Sequence, residues 1–300
     1  MVIHFIRNSL ARVSAIDAYC AYIEHNGHQT MVHDSSYSIP SSASVVWWFC
    51  GRVPLRESRR LRGAFQIHEY SSTSVPPYSW AKDIVKHWTQ PRPDYRIYQN
   101  SWIRERMGFA DGVPHALRDM GLAEYFFEAQ PPTQTPEFDL IYLGDMPPLL
   151  TFIPVMQAIK AAGRSLLLVG DVSIDLKKHL PSNVTCMCRV DQLQVPRQLQ
   201  RARFGLNLVP NANPFQQQTS AKVLEYCASG LRVVSNAYPW IQYFMAQNKA
   251  NFYLLRDDSL SPIANFGEAL EAYPYIVPDM HAFSWNQILN KLPLWRIILR

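Results

Sequence analysis

Residues Phe204 to Trp240 read FGLNLVPNANPFQQQTSAKVLEYCASGLRVVSNAYPW. An apolar run of strand length, FGLNLVP, gives way to a polar loop, and Ala221–Ser229 then places apolar residues at helical spacing. Thr219 or Ser220 supplies the N-cap and Gly230 the stop. The LRVVSN that follows has the uninterrupted apolar character of a strand buried on both faces. In a parallel sheet this helix starts beyond the carboxyl end of its strand. Its free N–H groups and positive dipole end favour an anion there, and a diphosphate is the natural guest. Lys222 stands in the first turn, against the usual preference for acids at that end. Either a bound anion or plain solvation accommodates it. Glu225, three residues on, projects from nearly the same face and can accept from ribose hydroxyls.

The same alternation extends in both directions. Upstream, Val2–Arg7, Gln29–His33, Ser44–Phe49, Ala64–Glu69 and Tyr95–Gln99 read as strands, with helices over Ala15–Glu24, Trp80–Trp88 and Trp102–Met107. Then AQPPTQTPEF, Ala129–Phe138, brings three prolines and almost no large apolar residues, a linker composition. Beyond it strands are expected at Asp139–Leu143, Arg164–Val169, Asn183–Cys188, Phe204–Val209 and Leu231–Ser235. Helices are expected at Leu149–Ala162, Ile174–Leu180, Gln194–Ala202, Ala221–Ser229 and Tyr238–Gln247. The expected fold is α/β: two Rossmann-like domains facing each other across a cleft. The expected divisions are 1–130, a proline-rich hinge over 131–138, a second domain over 139–280, and a helix over 281–300.

Composition bounds the rest. The chain has 300 residues, 48% hydrophobic, 12% aromatic and 18% charged, which fits two domains of ordinary size and excludes a largely disordered chain. The longest apolar candidate for a membrane span, Met146 to Ala162, is broken by three prolines, a Gln and a Lys. The first residues, MVIHFIRNSLARVS, lack the features of a secretion signal, so a cytoplasmic location is expected. Five cysteines, mostly in apolar segments and with no zinc-type spacing, read as buried thiols in a reducing compartment. The net charge of +5 is too small to mark a nucleic-acid binder. Arg52, Arg56, Arg59, Arg60 and Arg62 are nevertheless crowded into GRVPLRESRRLRG. That cluster is either a solvated helix face or lid, or a patch for an acidic substrate or a peripheral seat on an anionic membrane.

The run TSAKVLEYCASGLRVVSN resembles the nucleotide-binding segment of GT-B glycosyltransferases, notably the large retaining family four and its relatives. Supporting features fall in the family's order: NGHQTMV after the first helix, DLIYLGD ending near Gly144, LLLVGD ending at Gly170-Asp171, and the late FSWNQILNKL. This last segment is similar to the family's carboxyl-terminal helix that crosses back to the first domain. The resemblance implies transfer of a sugar from a nucleotide-activated donor to a glycan or lipid-linked acceptor. It implies no metal or other cofactor and suggests a role in cell-surface polysaccharide such as lipopolysaccharide or capsule. It assigns the donor to Gly170, Thr219, Ser220, Lys222 and Glu225, with Glu225 on the ribose and the helix start on phosphate. The chain departs from the pattern in three places. Gln217 stands where the family often has an acid, Asp145 follows the strand that usually brings basic groups, and NSLARVS replaces a glycine pair, leaving Arg12 or backbone groups to substitute.

In the first half, His68 and Glu69 close a strand at its carboxyl end, where a histidine donor beside a carboxylate base suits hydroxyl chemistry; a strand-end histidine satisfied by backbone fits as well. Asp111-Gly112 is a turn signal that also resembles the acidic element of transferases using a CMP-activated keto sugar acid (Kdo). In that alternative Asp111 is catalytic and Arg104 and Arg118 meet phosphate, acceptor or a sugar carboxylate. A third reading is a GT-like domain that binds without catalysis.

Overall fold

Val2–Arg7 forms β1 with Ile3 to Ile6 all buried, so both faces of this strand are covered. The computed structural model describes residues 1–7, 14–49, 51–75, 77–128, 135–255 and 266–299. After β1 the chain alternates through α1 (Ser14–His25), β2 (Gln29–His33), β3 (Val45–Phe49), α2 (Leu55–Arg60), β4 (Phe65–Tyr70), α3 (Ser79–Thr89), β5 (Tyr95–Tyr98), α4 (Ser101–Met107) and β6 (His115–Leu117). These six strands make one parallel sheet in the order β2-β1-β3-β4-β5-β6. Period-two alternation divides their side chains between two cores. Phe5, Trp47, Ile67 and Ile97 pack with Ile16, Tyr19 and Ile23 of α1. Ile6, Val46 and Trp48 pack with Val53 and Leu61 on the opposite face.

The chain continues through α5 (Tyr125–Glu128), β7 (Phe138–Leu143), α6 (Ile153–Ala161), β8 (Leu166–Val169), α7 (Ile174–His179), β9 (Val184–Met187), α8 (Val195–Leu199) and β10 (Ala202–Asn207). Next come α9 (Ala221–Ala228), β11 (Arg232–Asn236), α10 (Pro239–Asn248), β12 (Tyr253–Leu255) and α11 (Phe266–Ala272). The second sheet is also six-stranded and parallel, in the order β12-β11-β10-β7-β8-β9. Strand order reverses between β7 and β10, the Rossmann arrangement.

Two short helices end the chain, α12 (Trp285–Asn290) and α13 (Trp295–Ile298). They belong to the first unit, which comprises Met1–Gly121 and Phe283–Arg300, whereas Leu122–Ala282 makes the second. Trp285, Leu289, Leu294, Trp295 and Ile298 complete the α1 face of the first core. Trp295 is 8% exposed and stacks on Tyr22 at 5.0 Å between centroids; burial of a side chain of this kind stabilises by ~1.5–3 kcal/mol.

The elements follow the sequence pattern, with informative departures. The helix expected over Leu149–Ala162 opens as a 3-10 segment, Pro147–Phe152, before α6 begins, because Pro147, Pro148 and Pro154 withhold N–H donors. The arginine-rich segment contains α2, and β6 and β12 are strands of only three residues. Cys227 is buried and Cys20 half-buried as expected of structural thiols, but Cys186 on the edge strand β9 and Cys188 just beyond it are exposed. Residues 131–134 of the expected hinge, Arg12 and Cys50 lie outside the described residues.

Candidate functional site

The point between β7 and β10 where strand order reverses is where an open parallel sheet leaves room for a ligand. What seats α9 there is a missing side chain. A Cβ on Gly205 of β10 would stand 2.3 Å from the Tyr226 ring, so only glycine lets the helix lie this close to the strand. The Tyr226 hydroxyl donates to the Leu206 carbonyl at 3.1 Å and accepts from the Leu143 N–H at 3.2 Å, clamping α9 to both strands. The first turn of α9 therefore lies against the end of β7. Lys222 Nζ stands 3.5 Å from the Tyr142 hydroxyl and 4.8 Å from its ring centroid.

Gly144 and Gly170 end β7 and β8 side by side. A Cβ on Gly170 would meet the Gly144 carbonyl oxygen at 2.4 Å, and one on Gly144 would touch the Lys222 stem at 3.7 Å. The floor beneath Lys222 is thus bare backbone.

Ser220 is the N-cap of α9, but its hydroxyl does not cap. It donates instead to Asn207 Oδ1 at 2.9 Å, while Asn207 Nδ2 donates to Ser235 Oγ at 2.8 Å and to the Tyr238 hydroxyl at 3.0 Å. Ser220 thus takes the N-cap position expected of it, but its hydroxyl serves Asn207 and not the helix. The fully buried amide of Asn207 needs that acceptor and donor set to be satisfied. The first-turn amides of α9 consequently have no side-chain cap. Thr219 beside it is buried at 7% exposure.

Lys222 and Glu225 are both half-buried, and among the described residues neither makes an ion pair within the salt-bridge limit. Burial pulls the Lys222 ammonium below its ordinary value, opposed by the charges of Glu225 and Asp145. Burial pushes the Glu225 carboxyl up to about 7, opposed by Lys222. A lysine whose contact is the neutral Tyr142 hydroxyl and ring, beside a carboxylate kept partly from water, suits a ligand that supplies opposite charge and hydroxyl groups.

The first unit distributes its candidates differently. Glu69 is not a free base: its carboxylate accepts from Arg118 Nη2 and from the Trp47 indole N–H at 2.9 Å, and it is 3% exposed. Arg118 is equally committed, donating to the Tyr19 hydroxyl at 3.1 Å, with its guanidinium 5.2 Å from the Trp285 ring centroid. Both residues form a core ion pair rather than a substrate site. Asp111 is gripped by Arg96 at 2.6 and 2.7 Å and accepts from the Val113 N–H at 3.3 Å, so hydrogen bonds from Arg96 hold its carboxyl down to about 2. The pair fixes a turn, and this geometry removes the support for Asp111 as nucleophile or base.

His68 is 1% exposed, with Nδ1 3.3 Å from the Tyr70 hydroxyl and Nε2 without a hydrogen-bond partner. Burial, reinforced by Arg96, lowers it to about 3, which leaves a neutral imidazole and not an acid catalyst. Arg104 keeps its side chain 43% exposed, 3.9 Å from Glu105. Within the arginine cluster, Arg60 turns inward and donates to the carbonyls of Ser36 and Ile39, so it leaves the exposed patch. Among the described residues no three His, Cys, Asp or Glu side chains group as metal ligands, and no helix is long and apolar enough to cross a membrane.

No family model and no curated protein matches this chain. Solved structures do. AviGT4, a glycosyltransferase involved in Avilamycin A biosynthesis, matches with a TM-score of 0.68 at 14% identity over 99% of this chain and 98% of its own. Anabaena HepE in complex with UDP-glucose matches with a TM-score of 0.71 at 13% identity, over 97% and 98%. An α,α-trehalose-phosphate synthase (UDP-forming) from Burkholderia vietnamiensis matches with a TM-score of 0.57 at 12% identity, over 97% and 76%. The chain has the GT-B fold. In this GT-B chain the reversal point of the second sheet gathers Gly144, Gly170, Thr219, Lys222 and Glu225 around one helix start. It does not bring Glu69, Asp111 or Arg118 to any open site. Tyr142, Asn207 and Tyr226 are the residues that sequence reasoning missed. Gly205 inside a strand signals the close approach of Tyr226, and nothing in the local sequence marks the other two.

Proposed function

We propose that this protein is a glycosyltransferase that moves a sugar from a nucleotide-activated donor to a glycan or lipid-linked acceptor. The observation that carries the reading is the uncapped start of α9 with half-buried Lys222 and Glu225 beside it, at the reversal point of a GT-B second unit. In this proposal the donor diphosphate lies against the first-turn amides of α9, and Lys222 offsets its charge. Gly144 and Gly170 let the ends of β7 and β8 pack closely beneath the Lys222 stem. Glu225, as a carboxylate, accepts from the ribose hydroxyls.

As the glycosidic bond to phosphate breaks, negative charge grows on the leaving nucleoside diphosphate. The same amides and Lys222 stabilise that charge more in the transition state than in the ground state. Protein groups supply this stabilisation, and no metal or other cofactor enters the proposal. HepE was solved with UDP-glucose, which makes UDP the first nucleotide to examine. The finer reading of the acceptor, a growing cell-surface glycan such as lipopolysaccharide or capsule, rests on the sequence resemblance alone.

The test is thermal-shift screening of UDP, GDP, ADP and CMP on the purified chain, followed by donor turnover in the Glu225→Ala variant. Protection by one nucleotide diphosphate, with turnover lost in a folded Glu225→Ala protein, supports the reading. Protection by CMP alone would favour a CMP-activated donor. Tight nucleotide binding without turnover against any acceptor mixture would leave a binding domain.

A further inference from the structure

Lys222 and Glu225 stand three residues apart on α9, a spacing that brings a lysine and a glutamate within reach on one helix face. They do not pair here: among the described residues neither is in an ion pair. The ammonium lies instead on Tyr142 of β7, with Nζ 3.5 Å from the hydroxyl and 4.8 Å from the ring centroid. Tyr142 is 1% exposed and packed in the core of the second unit, so its ring is a fixed platform. Its hydroxyl donates to the Asp145 carbonyl at 2.9 Å, which commits the proton and leaves the oxygen lone pairs toward Lys222. Burial and the charge of Asp145 push the phenol above its ordinary range, so it stays a neutral acceptor. A neutral hydroxyl and a ring face attract an ammonium without cancelling its charge.

The charged groups on the neighbouring elements turn elsewhere. Arg203 of β10 pairs with Glu271 at 2.6 Å, and Arg232 of β11 lies over the Phe204 and Tyr275 rings. Helix α5 packs against α9, and its Glu128 is exposed to water. Asp145 has its side chain 86% exposed, 3.9 Å from Arg189, and the Tyr226 hydroxyl is engaged by Leu206 and Leu143.

We propose that Tyr142 is a positioning residue that holds the Lys222 ammonium at the end of β7 and away from Glu225. Two charges that would otherwise cancel along α9 stay separate. The lysine keeps its attraction for an anion, and the glutamate keeps its acceptor oxygens for hydroxyl groups. The use of this separation in donor binding rests on the pose proposed above; the separation itself does not.

Titration of the Glu225 carboxyl by carbon NMR in the full chain without ligand tests it, with Glu225→Gln locating the signal. In the wild-type chain the midpoint is expected near 7, where burial puts it. In Tyr142→Leu the released ammonium should swing to Glu225 and lower that midpoint by about one to three pH units. Tyr142→Phe keeps the ring but not the hydroxyl. It should fall between the two, and it carries the test where the leucine variant does not fold. Adding Lys222→Met to either variant should abolish the drop. UDP-glucose affinity at pH 7 should fall about two- to fivefold in Tyr142→Phe and about tenfold in Tyr142→Leu. A carboxyl that titrates unchanged in a folded Tyr142 variant overturns the proposal. So does a drop that persists without Lys222, since it would come from water reaching Glu225. The expected shifts in a chain that binds no nucleotide would uphold the charge separation and defeat the donor reading. UDP-glucose binding with no shift would do the reverse.

Discussion

Arg118 and Glu69 form an ion pair in the core of the first unit, with side chains 3% and 1% exposed and 49 positions of sequence between them. The Trp47 indole also donates to Glu69, and Arg118 also donates to the Tyr19 hydroxyl and the Asp119 carbonyl. Breaking such a pair from one end strands the other charge. Arg118→Met is therefore expected to cost about 3–5 kcal/mol of stability. Combining it with Glu69→Gln should recover part of that loss, because no uncompensated charge remains. Urea unfolding of the single and double variants measures both. A loss below about 1 kcal/mol in the single variant would contradict the buried-pair account.

Gly205→Ala should destabilise the second unit by about 1–3 kcal/mol, because the added methyl meets the Tyr226 ring and forces α9 away from β10. The displacement moves Lys222 from Tyr142, so nucleotide affinity should fall together with the melting temperature. Thermal unfolding with and without UDP separates the two effects.

Lys222→Met keeps most of the stem's packing and removes the ammonium above Tyr142. Under the proposed donor pose, this deletes a charge-assisted contact of about 1.5–3 kcal/mol, or roughly ten- to a hundredfold in donor affinity. Titration calorimetry with UDP-glucose reads the change. Unaltered affinity would place the diphosphate elsewhere.

Glu225 gives a pH signature. Its carboxyl is raised to about 7, so at pH 6 most of it is protonated and at pH 8 most of it is ionised. If the carboxylate is the form that accepts from ribose, UDP-glucose binding should tighten as pH rises through 7. In Glu225→Gln that dependence should flatten. Stability of the free protein runs the other way: the folded state holds the proton more tightly than the unfolded chain, so Glu225 costs stability progressively as pH climbs from 4.5 to about 7.

Asp111 titrates in the opposite sense. Its folded value of about 2 lies below the ordinary 3.8, so the stability it contributes is present above 3.8 and is lost as pH falls toward 2. Asp111→Asn should move acid unfolding to higher pH while leaving transfer activity at neutral pH intact. Abolished transfer in a folded Asp111→Asn protein would restore Asp111 to the chemistry.

Strand–helix alternation was legible in the sequence because apolar runs and turn residues are local signals. The α9 segment was legible because helix start, lysine and glutamate stand within a few residues. Short elements escaped: β6 spans only His115–Leu117, with one buried side chain between two exposed ones, so no period could form. Partner choice escaped as well. Glu69 reads as a candidate base until Arg118 is brought across the sheet to it. Ser220 reads as a helix-capping hydroxyl until Asn207 claims it. These pairings are set by register and tertiary packing, which a single sequence does not encode locally.

The late helices α12 and α13 have a consequence for how the chain matures. During synthesis residues 122–282 emerge before Trp285 and Trp295, so the second unit can complete its sheet while the first still lacks part of its core. The Phe5–Tyr19–Trp47 cluster must wait, partly uncovered, for its final aromatic neighbours. A ribosome stalled within that interval would hold a finished domain spliced into an unfinished one, and the unfinished one is where a chaperone would bind.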